Sequence, residues 1–372
     1  MAKPIFELLK ACVEADASDL HITTYIPPRI RVHGILKDLE HPALTPSETK
    51  EIIYSIMTDK QKRQFEEKLE LDFSFGVKEL GRFRANVFMQ KGAVAGAFRR
   101  FLPSMWSFAQ LGLPQRIQQL CFLPRGLVLV TGPTGCGKST TLACMIEHIN
   151  SERPVHIVTI EDPIEYYLTP RKAIINQREL YADTHSYANA LRSVLREDPD
   201  VVLVGEMRDL ETVEASLRVA ETGHLTFSTL HTNSAVESIS RIIDIFPSQY
   251  QTQVRIMLSM SLEAVLTQAL LPRADGKGRV LAMEIMIPNP AIRNLIRENK
   301  IHQIYSAMQM GQEKFGMQTF NQSLAGLYSR GVISLDTAMS VTSFPEELTD
   351  IIQRREGLKP GSGGLTAGAG RK

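Results

Sequence analysis

GPTGCGKST, residues 132–140, lies between an apolar run, GLVLV (126–130), and a helix-like stretch, TLACMIEHI (141–149). Gly132, four intervening residues, Gly137, Lys138 and Ser139 complete the pattern G-x-x-x-x-G-K-[ST]. The physical logic of that pattern is a phosphate cradle. Glycines let the chain bend so that successive N–H groups face inward and meet phosphate oxygens. The helix that follows adds partial positive charge at its start. Gly132, Pro133, Thr134, Gly135, Cys136, Gly137, Lys138, Ser139 and Thr140 are the expected nucleotide-binding residues. Lys138 is expected to reach the β- and γ-phosphates, and Ser139 to ligate Mg²⁺. The competing reading is a Gly-rich turn with an exposed lysine, and the strand-before, helix-after context weighs against it.

Working outward, GLVLVTG (126–132), VHIVTIED (155–162), DVVLVGE (200–206) and HLTFSTLH (224–231) have the continuous apolar character of strands buried on both faces. Helix-periodic segments separate them. Leu142, Met145, Ile146 and Ile149 follow one helical face, as do Leu210, Val213 and Leu217. This alternation predicts a doubly wound, mainly parallel α/β sheet over 117–357. Beyond 250 the pattern reads mostly as helix, with a hairpin near RADGKGR (273–279). Residues 1–100 read as a separate α/β domain. It has a helix at FELLKACVEA (6–15), a strand at RIRVHGIL (29–36) with a turn at His33-Gly34, and one or two helices over 46–69. Strands follow at 70–75, 81–90 and 93–101. The stretch 101–116 carries two prolines and breaks periodicity, so it reads as a linker. The Gly/Ser-rich tail, 358–372, reads as disordered.

Composition sets the broad class. The chain has 372 residues, 43% of them apolar and 22% charged, with a formal charge of +1, so it is long enough for two or three globular domains and has no global pull toward nucleic acid. No run of eighteen apolar residues predicts a transmembrane helix, and the N-terminus lacks a signal-peptide pattern. Cys12, Cys121, Cys136 and Cys144 form no CxxC pair, which argues against a zinc knuckle and fits a reducing cytoplasm.

Hydrolysis needs more than a cradle: a group to activate water, and positive charge for the transition state. Glu206 ends the strand DVVLVGE. Gly205 stands where P-loop proteins usually carry an Asp, so Mg²⁺ contact must come from Glu206, from water or from elsewhere. Glu161 and Asp162 end VTIEDPIEY (158–166). Both sit at strand ends that suit Mg²⁺ or water contact, although an acid there can also simply start a helix or be solvated. His224 and His231 are seven apart, so on a regular strand they face opposite sides and do not form one metal site. His231 is at the C-terminal edge, where it can contact the γ-phosphate. Arg82 and Arg84 share one face of GRFRANVF (81–88), opposite Phe83, Ala85 and Val87. Two guanidiniums on one face suit a neighbour's phosphate or an ordinary solvated surface. Arg99 and Arg100 belong with them.

In this order, VTGPTGCGKSTT (130–141), IEDPIEY (160–166), DPDVVLVGEMRDLET (198–212) and AETGHLTFSTLHTNSA (220–235) resemble the Walker A, Asp box, Walker B and His box of the secretion-type ATPases, which power type II secretion and type IV pili. GRFRANVFMQKGAVAG (81–96) resembles the end of that family's PAS-like N-terminal domain. NPAIRNLIREN (289–299) resembles the motif of the pilus retraction branch, and the likeness continues through 300–324. Asn289 and Pro290 also read as a helix start. Ile292, Leu295 and Ile296 form an apolar stripe, with Arg293 and Arg297 on its flank. The resemblance covers about residues 3–345. It implies a PAS-like α/β domain followed by a RecA-like P-loop domain with a helical C-terminal part. It also implies a homohexamer that hydrolyses ATP with Mg²⁺ between those domains and retracts pili for twitching motility. The motor would be cytoplasmic, held peripherally at the inner membrane by a pilus platform protein, with no nucleic-acid partner. Carried over, Glu206 is the catalytic glutamate and Glu161 its assistant at the Mg²⁺ or water site. His224 and His231 are the His-box pair, and Arg82, Arg84 and Arg99 neutralise charge. Gly205 suits this family. Cys136 leaves a thiol in the cradle and suggests oxidation sensitivity. The absence of a four-cysteine zinc motif favours retraction over assembly. The alternatives are an accessory retraction paralogue, or a type II secretion or pilus assembly ATPase. A DNA motor, a non-hydrolysing regulator and a GTPase (NKIH, 299–302) are weaker readings.

Overall fold

The computed structural model describes residues 4–32, 34–101, 105–355 and 357. The chain divides into two units: Met1–Met105 with Asp162–Tyr167, and Trp106–Glu161 with Leu168–Lys372. The anticipated disordered tail, the centre of the anticipated linker (102–104) and His33 lie outside the described residues.

The first unit is built on a sheet of six strands: β1 (Asp19–Ile22), β2 (Arg29–Val32), β3 (Ile35–Asp38), β4 (Glu70–Val77), β5 (Gly81–Gln90) and β6 (Ala93–Arg100). Their order is β3-β2-β1-β6-β5-β4, every pair antiparallel. Helices α1 (Ile5–Glu14), α2 (Pro46–Tyr54) and α3 (Asp59–Lys68) cover one face. Residues 46–68 make two helices because Thr45 with Glu48 and Thr58 with Gln61 form successive capping boxes. The core gathers Leu8, Leu9, Leu20, Phe65, Phe83 and Phe98. Each such buried side chain contributes roughly 1.5–3 kcal/mol. The β5–β6 connection is a two-residue turn, Lys91 and Gly92, both at positive φ, which matches the twist of a hairpin.

The second unit carries seven strands: β7 (Gly126–Thr131), β8 (His156–Glu161), β9 (Ile174–Glu179), β10 (Val201–Val204), β11 (Leu225–Leu230), β12 (Leu262–Pro272) and β13 (Arg279–Met286). The order is β13-β12-β7-β11-β10-β8-β9, parallel except for the antiparallel edge strand β13. Its helices are α4 (Phe108–Leu111), α5 (Gln115–Leu120), α6 (Lys138–Glu152), α7 (Tyr187–Val194), α8 (Leu210–Glu221), α9 (Ala235–Asp244), α10 (Ser248–Ser261), α11 (Pro290–Arg297), α12 (Ile304–Met310), α13 (Gln312–Phe315), α14 (Phe320–Ser329), α15 (Leu335–Val341) and α16 (Pro345–Arg355). Val128 and Val130 of β7 pack with Met145, Ile146 and Ile149 of α6 on one side of the sheet. Leu127 and Leu129 pack on the other side with Leu217, Ile239, Leu258 and Ile292.

The hairpin expected near 273–279 is present, and its strands, β12 and β13, are eleven and eight residues long. Leu262, Ala264, Val265 and Leu266 are all buried, and burial on both faces removes the alternation that identifies a strand. Part of the anticipated linker is also packed structure: Ser107 caps α4, and Phe108 and Leu113 enter the core of the second unit.

In α11, Asn289 caps the Ile292 N–H at 2.9 Å, and Ile292 and Ile296 are buried. Arg293 faces inward to α10. It donates to the carbonyls of Ser259 (2.8 Å) and Met260 (3.1 Å) and to Glu263 Oε1 (2.9 Å). A guanidinium thus closes the last turn of α10, where carbonyls lack helical partners. Arg293→Met should lower unfolding free energy by about 1–3 kcal/mol, read as a shift of the urea midpoint at unchanged slope. An unchanged midpoint would show that the strut carries nothing.

Candidate active site

All six residues of β7 are buried, so the strand delivers the Gly132–Gly137 loop from a fixed point in the sheet. Gly132 has φ +134°, and a Cβ there would collide with the Gln268 carbonyl oxygen and lie 2.7 Å from Cys136 Sγ. Only glycine lets the loop leave β7 this close to β12. Gly135 and Gly137 also have positive φ. Gly137 N-caps α6 with no side-chain hydrogen bond to the helix start. Helices α2, α8, α9 and α11, by contrast, are capped by the side chains of Thr45, Asp209, Ser234 and Asn289. A helix start capped by glycine at the end of a buried strand suits an anionic oxygen. Lys138 Nζ folds back over the loop and donates to the carbonyls of Gly132 (2.8 Å) and Pro133 (3.1 Å). These features fit a phosphate-bearing nucleotide.

Glu161, Glu206 and His231 all leave strands at the same edge of the sheet as the loop. Glu206 Oε1 lies 3.1 Å from His231 Nε2 and 2.7 Å from Arg208 Nε, with its side chain 19% exposed. Glu161 Oε1 accepts from Thr159 Oγ1 at 2.6 Å and from Gln177 Nε2 at 3.3 Å. A Cβ on Gly205 would lie 2.8 Å from Tyr187 Oη and 3.2 Å from the Ile160 carbonyl. An Asp at this position would have to displace the Tyr187 hydroxyl and press on the backbone of β8.

His224 is placed elsewhere. It precedes β11, and its carbonyl accepts from the N–H of Gly126, the first residue of β7. The phosphate loop leaves the other end of β7, about 20 Å away at 3.3 Å per residue. The His224 ring instead lies 3.0 Å from the Val219 carbonyl and 3.2 Å from Thr222 Oγ1. Within one chain, only His231 of the two histidines meets Glu206.

The arginines belong to the first unit. Arg84 and Arg99 are direct partners across β5 and β6, so they share one face. Arg84 lies 3.5 Å from Asp72, and Arg99 Nε donates to Asp19 at 2.8 Å. Burial pushes the Asp19 carboxyl up, but hydrogen bonds from Ser18 and Arg99 outweigh it and hold its pKa below the ordinary value. Arg82 departs from the expected exposed pair. It is buried, hydrogen-bonded to Ser74 Oγ, with its guanidinium 4.1 Å from the centre of the Tyr167 ring.

Cys136 also departs from expectation. It is buried, and burial raises its thiol pKa despite the opposing charge of Lys138. The thiols of Cys12 and Cys144 are pushed up to about 11 and that of Cys121 to about 12, again chiefly by burial. Thiolate is the reactive form, so the native protein should resist a thiol-reactive dye that titrates all four cysteines after denaturation. Rapid labelling of Cys136 in the native state would contradict this.

Sequence reasoning did not single out Arg208, Tyr187, Gln268 or Glu284. Arg208 lies two residues beyond Glu206, and that proximity was a usable signal. The other three reach their positions from distant segments.

The model of the family described as Type II/IV secretion system protein matches residues 1–337. The type IV pilus retraction ATPase PilT of Pseudomonas aeruginosa is 49% identical over 342 residues, spanning 92% of this chain and 99% of its own length. The type IV pilus ATPase PilU of the same organism is 38% identical over 347 residues, 93% of this chain and 91% of its own. A crystal structure of the pilus retraction motor PilT with bound ADP has a TM-score of 0.88 and 54% identity, covering 94% of this chain and 99% of that one. The chain therefore belongs to the Type II/IV secretion system protein family, among its pilus retraction ATPases.

Proposed function

We propose that this chain hydrolyses ATP to drive type IV pilus retraction. It works as a homohexamer on the cytoplasmic side of the inner membrane, against a pilus platform protein. Among the described residues no helix is long and apolar enough to cross a membrane, so attachment would run through such a partner. One observation carries the catalytic reading: Glu206, held by His231 and Arg208, leaves the sheet at the same edge as the Gly132–Ser139 loop.

Gly132, Pro133, Thr134, Gly135, Cys136, Gly137 and Thr140 shape the cradle. Lys138 exchanges its two carbonyl partners for phosphate oxygens. Ser139, with Glu206 directly or through water, would hold Mg²⁺, which spreads the negative charge of the phosphates. No three His, Cys, Asp or Glu residues gather as a metal site among the described residues, which suits a cation that takes most of its oxygens from substrate and water. Glu206 accepts the hydrogen bond of the attacking water, and Glu161 steadies that shell. His231 holds the carboxylate and registers the change in charge as phosphate departs. Arg84 and Arg99 supply positive charge to a neighbouring subunit's site, with Asp19 orienting Arg99. Arg82 would need to leave Tyr167 to join them, and His224 serves from the opposite edge of the sheet. Differential affinity of the conformations for ATP and ADP supplies the bias for movement.

The test is a deletion strain complemented with the wild-type gene or with Lys138→Ala. Twitching restored by the first alone supports the reading, and excess immobile pili should mark the deletion. Bald cells would indicate assembly instead.

A further inference from the structure

Thr131, Thr267 and Glu284 stand directly opposite one another across β7, β12 and β13. All three are buried, and the two threonine hydroxyls lie 2.9 Å apart. The residue after Thr131 is Gly132, so this polar row lies immediately beneath the phosphate loop. A row of core side chains needs no carboxylate, and burying one is unfavourable unless it is well hydrogen-bonded.

Glu284 makes bonds that join separate elements. Its Oε1 accepts from the N–H of Ala235, the first residue of α9, at 2.7 Å. The backbone of Phe320, the first residue of α14, also lies close enough to favour the ionised carboxylate. Ser234 and Thr319, the side-chain caps of these helices, serve other amides, those of Glu237 and Gln322. Glu284 therefore completes the start of α9 and shares a cavity wall with the start of α14, both places where a negative charge is favoured. Ala235 is four residues beyond His231, the partner of Glu206. On the other side, Asn321 Nδ2 donates to Glu347 of α16 at 2.8 Å, and Glu347 also accepts from Tyr305 of α12 at 2.6 Å. A second carboxylate thus continues the connection from α14 to α16 and to α12, which follows α11 by a few residues.

We propose that Glu284 is a positioning residue that ties the His231 turn to the C-terminal helices, so that a change at the Glu206–His231 pair and the packing of α14 move together. This rests on the ATPase reading of the site. Burial pushes the Glu284 carboxyl above its ordinary value, and the backbones of Ala235 and Phe320 offset this only in part.

Glu284→Gln keeps the shape and removes the charge. It should speed amide exchange at Ala235 and at Phe320 together by about tenfold, as expected when charge-assisted bonds become neutral ones. It should also lower kcat for ATP while KM stays within about twofold, since no cradle residue is touched. Faster exchange at one amide alone, or an unchanged kcat, would overturn the proposal. His231→Ala in the otherwise intact chain gives an independent check that does not depend on the first variant folding: exchange over 319–324 should rise, and no change there overturns the tie. Wild-type phosphate release measured alongside separates the two readings. If wild type releases none, the ATPase reading has failed, while the paired exchange still decides whether the joint exists.

Discussion

Glu206→Gln should lower ATP turnover by about 10²–10⁴-fold, the range for loss of a group that handles a proton in the transition state. Nucleotide binding should persist. The amide keeps the size of the carboxylate and can still sit near His231 Nε2 and Arg208 Nε, but it no longer offers a charged acceptor to water. Every cradle residue, Gly132 to Thr140, is untouched. Phosphate release and equilibrium binding of a fluorescent ATP analogue are the paired measurements. Turnover near wild type would remove Glu206 from its role. Loss of binding together with turnover would make it a structural residue.

Gly132→Ala should destabilise the fold and abolish binding. Two penalties combine at this position. A φ of +134° is strained for any L side chain, and the new methyl runs into backbone at the Gln268 carbonyl. Strain and overpacking each amount to about 1–3 kcal/mol, so together about 2–6 kcal/mol. Against a total stability of about 5–15 kcal/mol this is a large fraction. Gly135→Ala is the internal control: its φ is +80°, but nothing lies within 4 Å of the added carbon, so only the backbone penalty applies. Denaturant melts of both variants should separate the two terms. Equal destabilisation would mean that the close approach to β12 is not what fixes glycine at 132.

The parts of the site carried by contiguous sequence could be read before the fold was known. The cradle needs glycines in a fixed order between a strand and a helix, and one stretch supplies them all. Buried parallel strands announce themselves as short apolar runs, which located β7, β8, β10 and β11 and put Glu206 and His231 at strand ends. Features that depend on contacts between distant segments were not legible. Gly205 is crowded by Tyr187 from α7, and Gly132 is fixed by Gln268 from β12. Spacing placed His224 and His231 at the two ends of one strand, as the length of β11 does, but did not reveal that the His224 ring turns to the Val219 carbonyl and Thr222. Alternation put Arg82 on a polar face without revealing that Tyr167 covers it. Glu284 looked like any acid near an apolar run, because its two helix starts come from 49 and 36 residues away.

The central claim is that a triphosphate held by the 132–139 loop is cleaved there with Glu206 as the activating carboxylate. Phosphate release by purified protein in ATP and Mg²⁺, compared between wild type and Lys138→Ala, tests it most directly. Steady release by the wild type that disappears in the variant is the predicted result. No release by the wild type, or release that survives the loss of Lys138, would contradict it.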